Sequence, residues 1–228
     1  MRDITVACLD MAGTTVADDG SVMAAFGAAV ADFGLVPGAT GYNEAISFVE
    51  QTMGQSKIEV FRRLLGGEDR AEQANRRFEE SYAESVRAGL VEPLPGAVET
   101  ITALRAAGIK VCLATGFSPV TRDALLDALG WRPLIDLALS PADAGRGRPW
   151  PDLPLTALIR LGGGAVSELA VVGDTPSDVE SGLRAGAGLV VGVTTGAGTR
   201  DALAAAGAPH IVDSVGGLVQ LVGIGAAA

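Results

Sequence analysis

Six short apolar runs punctuate the chain, at residues 4–9, 109–114, 134–139, 169–173, 188–193 and 210–213. Their length, aliphatic character and flanking turn residues predict buried strands rather than helices. Between them, stretches such as "GAVETITALRAAG" (96–108) and "SPVTRDALLDALG" (118–130) repeat apolar positions at helical spacing. Strands alternating with helices predict an α/β fold with a doubly wound parallel sheet, covered by helices on both faces. In such folds ligands bind beyond the carboxyl ends of the strands. Asp10, Thr115 and Asp174 fall at those ends.

Residues 18–92 break the alternation. "SVMAAFGAAVADFG", "YNEAISFVEQTMGQSKIEVFRRLLGG" and "DRAEQANRRFEESYAESVRAGL" are helical in period, and none contains a strand pattern. The segment ends at "EPLPG" (92–96), a rigid junction. The expected organisation is a core of residues 1–17 plus 93–228, with an all-helical cap of residues 18–92 inserted over the strand-end face.

The 228 residues are 48% hydrophobic, enough for a sizeable core, and carry a net charge of −10. That charge argues against nucleic acid or an anionic membrane surface as partner. No apolar run reaches the roughly 20 residues of a membrane span. The amino-terminal "MRDITVACLD" lacks the pattern of a signal peptide. Cys8 and Cys112 lie inside predicted strands, as core thiols rather than a disulfide framework, so a cytoplasmic location is expected. The only histidine, His210, falls in a late strand and is expected to be structural.

For an anionic substrate the global field is repulsive, so a local cation or metal is required at the site. "LDMAGTTV" places Asp10 at a strand end, entering a Gly-Thr-Thr turn. "LATGFS" adds Thr115 and Gly116, a hydroxyl and backbone N–H groups suited to phosphate oxygens at a helix start. Ser118 is the matching helix cap. "GRGRPWPD" (145–152) carries Arg146 and Arg148 in a Gly/Pro-rich loop, and one held rigidly supplies positive charge. "VVGDTPSD" provides Asp174, which can join Asp10 in holding a hard divalent ion, and Asp178, which can cap a helix or orient an arginine.

Taken in order, these four strand-end motifs resemble the haloacid dehalogenase superfamily of phosphotransfer enzymes over nearly the whole chain. The resemblance implies a Rossmann-like core in which Asp10 is the nucleophile, forming an aspartyl phosphate. It also implies Mg²⁺ held by Asp10, the Ala12 carbonyl and Asp174. Thr115, Gly116 and Arg148 would bind the phosphoryl oxygens, with Thr14 and Asp178 in support. Members commonly dimerise through the cap, so a homodimer is plausible by resemblance.

Ala12 stands where ordinary phosphatases of the family carry a second Asp as general acid. "DMAGTT" and "GRPWP" are similar to the phosphonoacetaldehyde hydrolase branch, in which this alanine is the pattern. That branch also carries M-G-x-x-K in the cap, met here by Met53, Gly54 and Lys57 in "TMGQSKIEVF". The resemblance implies that Lys57 forms a Schiff base with a substrate aldehyde, an electron sink for breaking a carbon–phosphorus bond. Three polar positions depart from phosphonatases proper. Val60 replaces a histidine, "DDGS" (18–21) replaces a cysteine, and Phe117 replaces a tyrosine. The substrate expectation is therefore phosphonoacetaldehyde or a related 2-oxoalkylphosphonate, with a phosphatase for a small phosphomonoester as the alternative. A catalytically inactive phosphate-binding protein is the third possibility.

Overall fold

The computed structural model describes residues 3–17 and 19–224. Residues 1, 2, 18 and 225–228, at the edges of the expected core and insertion, lie outside the described residues. In chain order the strands are β1 (Val6–Asp10), β2 (Val16–Ala17), β3 (Glu92–Pro93), β4 (Lys110–Ala114), β5 (Leu137–Leu139), β6 (Leu169–Gly173), β7 (Leu189–Val193) and β8 (His210–Val212). Among the described residues, four helices run between β2 and β3: α1 (Ser21–Ala31), α2 (Tyr42–Gln51), α3 (Lys57–Leu65) and α4 (Glu68–Arg87). The rest are α5 (Ala97–Ala106), α6 (Pro119–Leu129), α7 (Pro141–Ala144), α8 (Asp152–Arg160), α9 (Pro176–Arg184), α10 (Arg200–Ala205) and α11 (Leu218–Leu221).

Six strands form one parallel sheet in the order β5-β4-β1-β6-β7-β8. The chain winds outward from β1 through β4 to β5, then crosses back to β6 and winds the other way. The order reverses beside β1, which places a ligand crevice at the carboxyl end of that strand. Side chains alternate across the sheet as a strand demands. Ala7 and Leu9 join the larger core with Ile101 and Leu104 of α5, whereas Val6 and Cys8 pack with Leu153, Ala157 and Leu158 of α8. Cys8 and Cys112 are paired in register on β1 and β4 as buried free thiols. His210 opens the edge strand β8.

The chain leaves and re-enters the sheet through a two-stranded antiparallel ribbon, Val16 beside Pro93 and Ala17 beside Glu92. Between the ribbon strands, α4 buries Ala71, Ala74, Phe78, Tyr82 and Val86 at three- and four-residue intervals. Phe78 is the hub: its ring lies 4.8 Å from Phe26, 6.1 Å from Phe61 and 6.1 Å from Tyr82. It also lies 6.1 Å from Phe117, which follows β4, so the aromatic cluster spans the insertion and the sheet.

Two elements differ from the sequence expectation. The run at 134–139 forms a strand only over Leu137–Leu139, because residues 132–134 close a 3₁₀ turn. The helical period of 42–67 hides a break between α2 and α3, where Gly54 adopts φ of 80°. That break brings the chain against the sheet: a Cβ at Gly54 would collide with the Thr175 hydroxyl.

Phe78→Ala is expected to cost about 3–5 kcal/mol, the range for deleting a fully buried aromatic ring. Phe78→Leu should cost less than half as much. Chemical denaturation of the two variants beside wild type checks this.

Candidate active site

The turn after β1 explains its Gly-Thr-Thr. Met11 O accepts N–H bonds from Thr14, Thr15 and Val16, which folds the chain sharply back. Gly13 supplies the left-handed φ of 85°, and a Cβ there would lie 2.6 Å from Asp174 Oδ2. The Thr15 hydroxyl donates to the Asp10 carbonyl at 2.8 Å, and the Thr14 hydroxyl donates to Asp174 Oδ1 at 3.0 Å. Asp10 is thus presented at the strand end, with its neighbours' hydroxyls fixing the turn behind it.

Arg148 joins the motifs. Its guanidinium is buried, at 6% exposure, and every nitrogen is engaged. Nη2 lies 2.7 Å from Asp10 Oδ1 and donates to the Ala114 carbonyl at 2.9 Å; Nε lies 2.7 Å from Asp178 Oδ1. Nη1 donates to the Gly54 carbonyl of the insertion at 3.2 Å. Asp178 holds α9 in a capping box with Thr175 while it orients the arginine, so both roles anticipated for it are met. Arg146 goes elsewhere. It stacks 4.3 Å above Trp150, pairs with Asp152 at 2.9 Å, and stays in solvent.

Two carboxylates, Asp10 and Asp178, face that one guanidinium, and Asp174 stands beside them. Burial pushes the Asp10 carboxyl well above the usual range, Arg148 opposes this, and Asp178 and Asp174 add repulsion. Burial, then repulsion from Asp178, push Asp174 up to about 7, against the Ala197 N–H and the Thr14 hydroxyl. Arg148 is held protonated, because Asp10 and Asp178 outweigh its desolvation. The cluster is short of positive charge. One oxygen from each of Asp10, Asp174 and Asp178 lies within 4.8 Å of the others, a donor set that fits a hard divalent cation. Asp178 is already committed to Thr175 and Arg148, which leaves Asp10 and Asp174 as the carboxylates able to hold an ion.

Thr115 and Gly116 follow β4, and Ser118 caps α6 by accepting from Thr121 N–H at 3.3 Å. Gly116 is one place where the insertion closely approaches the sheet. Its carbonyl accepts the Lys57 N–H at 3.2 Å, and a Cβ there would collide with the Gln55 carbonyl. Lys57 opens α3 and is 7% exposed; Nζ lies 5.5 Å from the Phe26 ring centre and 5.4 Å from that of Phe117. Val60, one turn further on, is fully buried in the insertion's core.

A cavity of about 410 Å³ gathers these groups. Asp10, Ala12, Thr115, Gly116, Arg148 and Asp174 line it, as do Met53, Gly54 and Lys57 from the insertion. Thr14 and Asp178 stand behind the wall, bonded to Asp174 and Arg148. The loop after β7 is a part of the site that sequence reasoning missed. There the Ala197 N–H donates to Asp174 Oδ2 at 2.8 Å, and the Thr195 hydroxyl donates to the Gly13 carbonyl at 2.6 Å. Its only sequence signal is "TTGAGT" at another strand end.

Comparison with known proteins agrees with this geometry. The family profile described as haloacid dehalogenase-like hydrolase matches residues 4–186. A probable phosphatase, IndB, of Dickeya dadantii is 31% identical over 211 residues, covering 90% of this chain and 87% of its own. A phosphonoacetaldehyde hydrolase of Bacteroides fragilis is 31% identical over 208 residues, covering 81% of this chain and 74% of its own. A crystal structure of a phosphonoacetaldehyde hydrolase-like protein from Oleispira antarctica superposes with a TM-score of 0.82 at 26% identity, over 96% of this chain and 91% of that one. The resemblance carried by "DMAGTT" and "GRPWP" is borne out, and the chain belongs to the haloacid dehalogenase-like hydrolase family.

Proposed function

We propose that this hydrolase cleaves the carbon–phosphorus bond of phosphonoacetaldehyde or a related 2-oxoalkylphosphonate, with residues 18–92 as a cap that closes the site. The observation that carries this is the meeting of Lys57 and Asp10 on one cavity, with Ala12 where a proton donor would otherwise stand. A carbanion is a poor leaving group and gains little from an acid positioned for an alkoxide. It needs an electron sink on its own carbon skeleton.

Lys57 supplies that sink. Its amine, once neutral, adds to the substrate carbonyl and water departs, leaving a cationic iminium. The Asp10 carboxylate attacks phosphorus, and the phosphorus–carbon electron pair moves through the adjoining bond to the iminium nitrogen, giving a neutral enamine. Arg148, Thr115 and the Gly116 N–H hold the phosphoryl oxygens through the transfer. Protonation of the enamine at carbon and hydrolysis release the aldehyde and free Lys57. Water then cleaves the aspartyl phosphate and restores Asp10. Asp10, Asp174 and the Ala12 carbonyl would hold Mg²⁺, which would supply positive charge to offset repulsion between the carboxylate and the phosphonate.

The likeness to a protein named as a probable phosphatase favours a second reading, hydrolysis of a small phosphomonoester. Lysine separates the two. Lys57→Ala is expected to lower phosphate release from phosphonoacetaldehyde by about 10³-fold or more, with the circular dichroism spectrum unchanged. Full activity of that variant on phosphomonoesters, with none on the phosphonate in wild type, would favour the phosphatase.

The metal requirement predicts a pH signature. In the metal-free protein Asp174 stays protonated up to about pH 7, so Mg²⁺ must displace a proton below that value. Affinity for Mg²⁺ is expected to fall by about tenfold or more per pH unit below 7, because the raised Asp10 carboxyl must lose its proton as well. The sign for stability follows from the same raised value. A buried carboxyl tolerates its protonated form, so the metal-free protein loses stability as pH rises from the ordinary carboxylate range through about 7. Mg²⁺ should therefore raise the unfolding temperature more at pH 8 than at pH 6. Titration calorimetry and thermal melts at the two pH values check both, and a pH-independent affinity would contradict them.

A further inference from the structure

The cavity is larger than a two-carbon phosphonate requires. Its 410 Å³ falls within the range of about 300–1,000 Å³ that encloses drug-sized ligands. A divalent ion with two or three waters, at roughly 30 Å³ per water, and a phosphonate head of similar bulk take up no more than about half of it.

One stretch of the remaining wall is apolar. Val22 and Met23 of α1, Met53, Leu94 after β3, and Phe117 line it. Among the described lining residues, the charged side chains outside the Asp10, Arg148 and Asp174 group are Lys57 and Asp19. Lys57 becomes bonded to the carbonyl carbon during the proposed reaction. The Thr175 and Thr195 hydroxyls, which also line the cavity, already donate to Asp178 and to the Gly13 carbonyl. Against the stretch formed by Met23, Met53, Leu94 and Phe117 a hydroxylated or charged tail finds no side-chain partner, Asp19 lying outside that stretch, whereas an alkyl group meets thioether, aliphatic and aromatic carbon. The aromatic part of that wall is held in place: the Phe117 ring packs 4.6 Å from Tyr82 and 6.1 Å from Phe78.

We propose that the site selects 2-oxoalkylphosphonates in which the carbonyl bears an apolar alkyl substituent, in preference to the aldehyde. This rests on the carbon–phosphorus hydrolysis proposed above. The same bond breaks: R–CO–CH₂–PO₃²⁻ and water give R–CO–CH₃ and HPO₄²⁻. The carbon that loses phosphorus gains the proton, and the Lys57 amine is returned unchanged.

The test compares kcat/KM for phosphonoacetaldehyde, 2-oxopropylphosphonate, 2-oxobutylphosphonate and 3-hydroxy-2-oxopropylphosphonate. The expected result places 2-oxobutylphosphonate about tenfold above the aldehyde, since a methylene in a hydrophobic pocket is worth about tenfold or more. The hydroxylated analogue should fall about tenfold below 2-oxobutylphosphonate. Met23→Phe, which narrows the cavity, should reverse the order by lowering kcat/KM for the longer ketone more than for the aldehyde. Leu94→Phe serves as the second variant should the first fail to fold. Hydrolysis of the aldehyde with the ketones slower in wild type would overturn the preference and leave the carbon–phosphorus reaction standing. Failure on every phosphonate, with phosphomonoesters hydrolysed, would overturn both.

Discussion

A single buried guanidinium, that of Arg148, allows three carboxylates to share the carboxyl end of one parallel sheet. Asp10 and Asp178 lie against it directly, and Asp174 is raised by burial and then by the charge of Asp178. Without that cation the cluster would hold buried acids with no compensating charge, a far greater cost than an exposed pair would carry. The arginine is in turn fixed by backbone. The Ala114 carbonyl at the end of β4 and the Gly54 carbonyl of the insertion accept from it. It therefore links the end of β1, the end of β4, the capping box of α9 and the helical insertion.

The insertion reaches the sheet by the same logic of close approach. Lys57 N–H bonds to the Gly116 carbonyl, so the backbone of the lysine is registered directly on the loop expected to hold the phosphonate. Gly54 and Gly116 are needed because side chains at either place would fill the contact. The aromatic cluster does the rest, running from Phe26, Phe61 and Phe78 to Phe117 and leaving the Lys57 amine between two ring faces. Lys57 and Asp10 are brought to one cavity by backbone contacts, which few side-chain changes on the surface could disturb.

Much of this was legible in the sequence because strand ends are. Hydropathy located β1, β4 and β6, and the polar residue following or closing each run was Asp10, Thr115 or Asp174. Chemistry that resides in backbone was harder to see. The Ala197 N–H that bonds Asp174 belongs to a residue with no functional side chain, and the break at Gly54 lay under a helical period that continued on both sides. Leu134 looked like strand because an apolar residue closing a 3₁₀ turn has the same hydropathy as one in a sheet. Met23 and Leu94 were invisible as pocket residues, since an apolar side chain facing a cavity reads like one facing the core.

The central claim is that Lys57 bonds covalently to the substrate carbon while Asp10 takes the phosphorus. Borohydride reduction during turnover of phosphonoacetaldehyde, followed by digestion and peptide mass spectrometry, tests it most directly. The account predicts a reduced two-carbon adduct on the peptide containing Lys57, formed only when substrate is present. Steady phosphate release with Lys57 unmodified would contradict it.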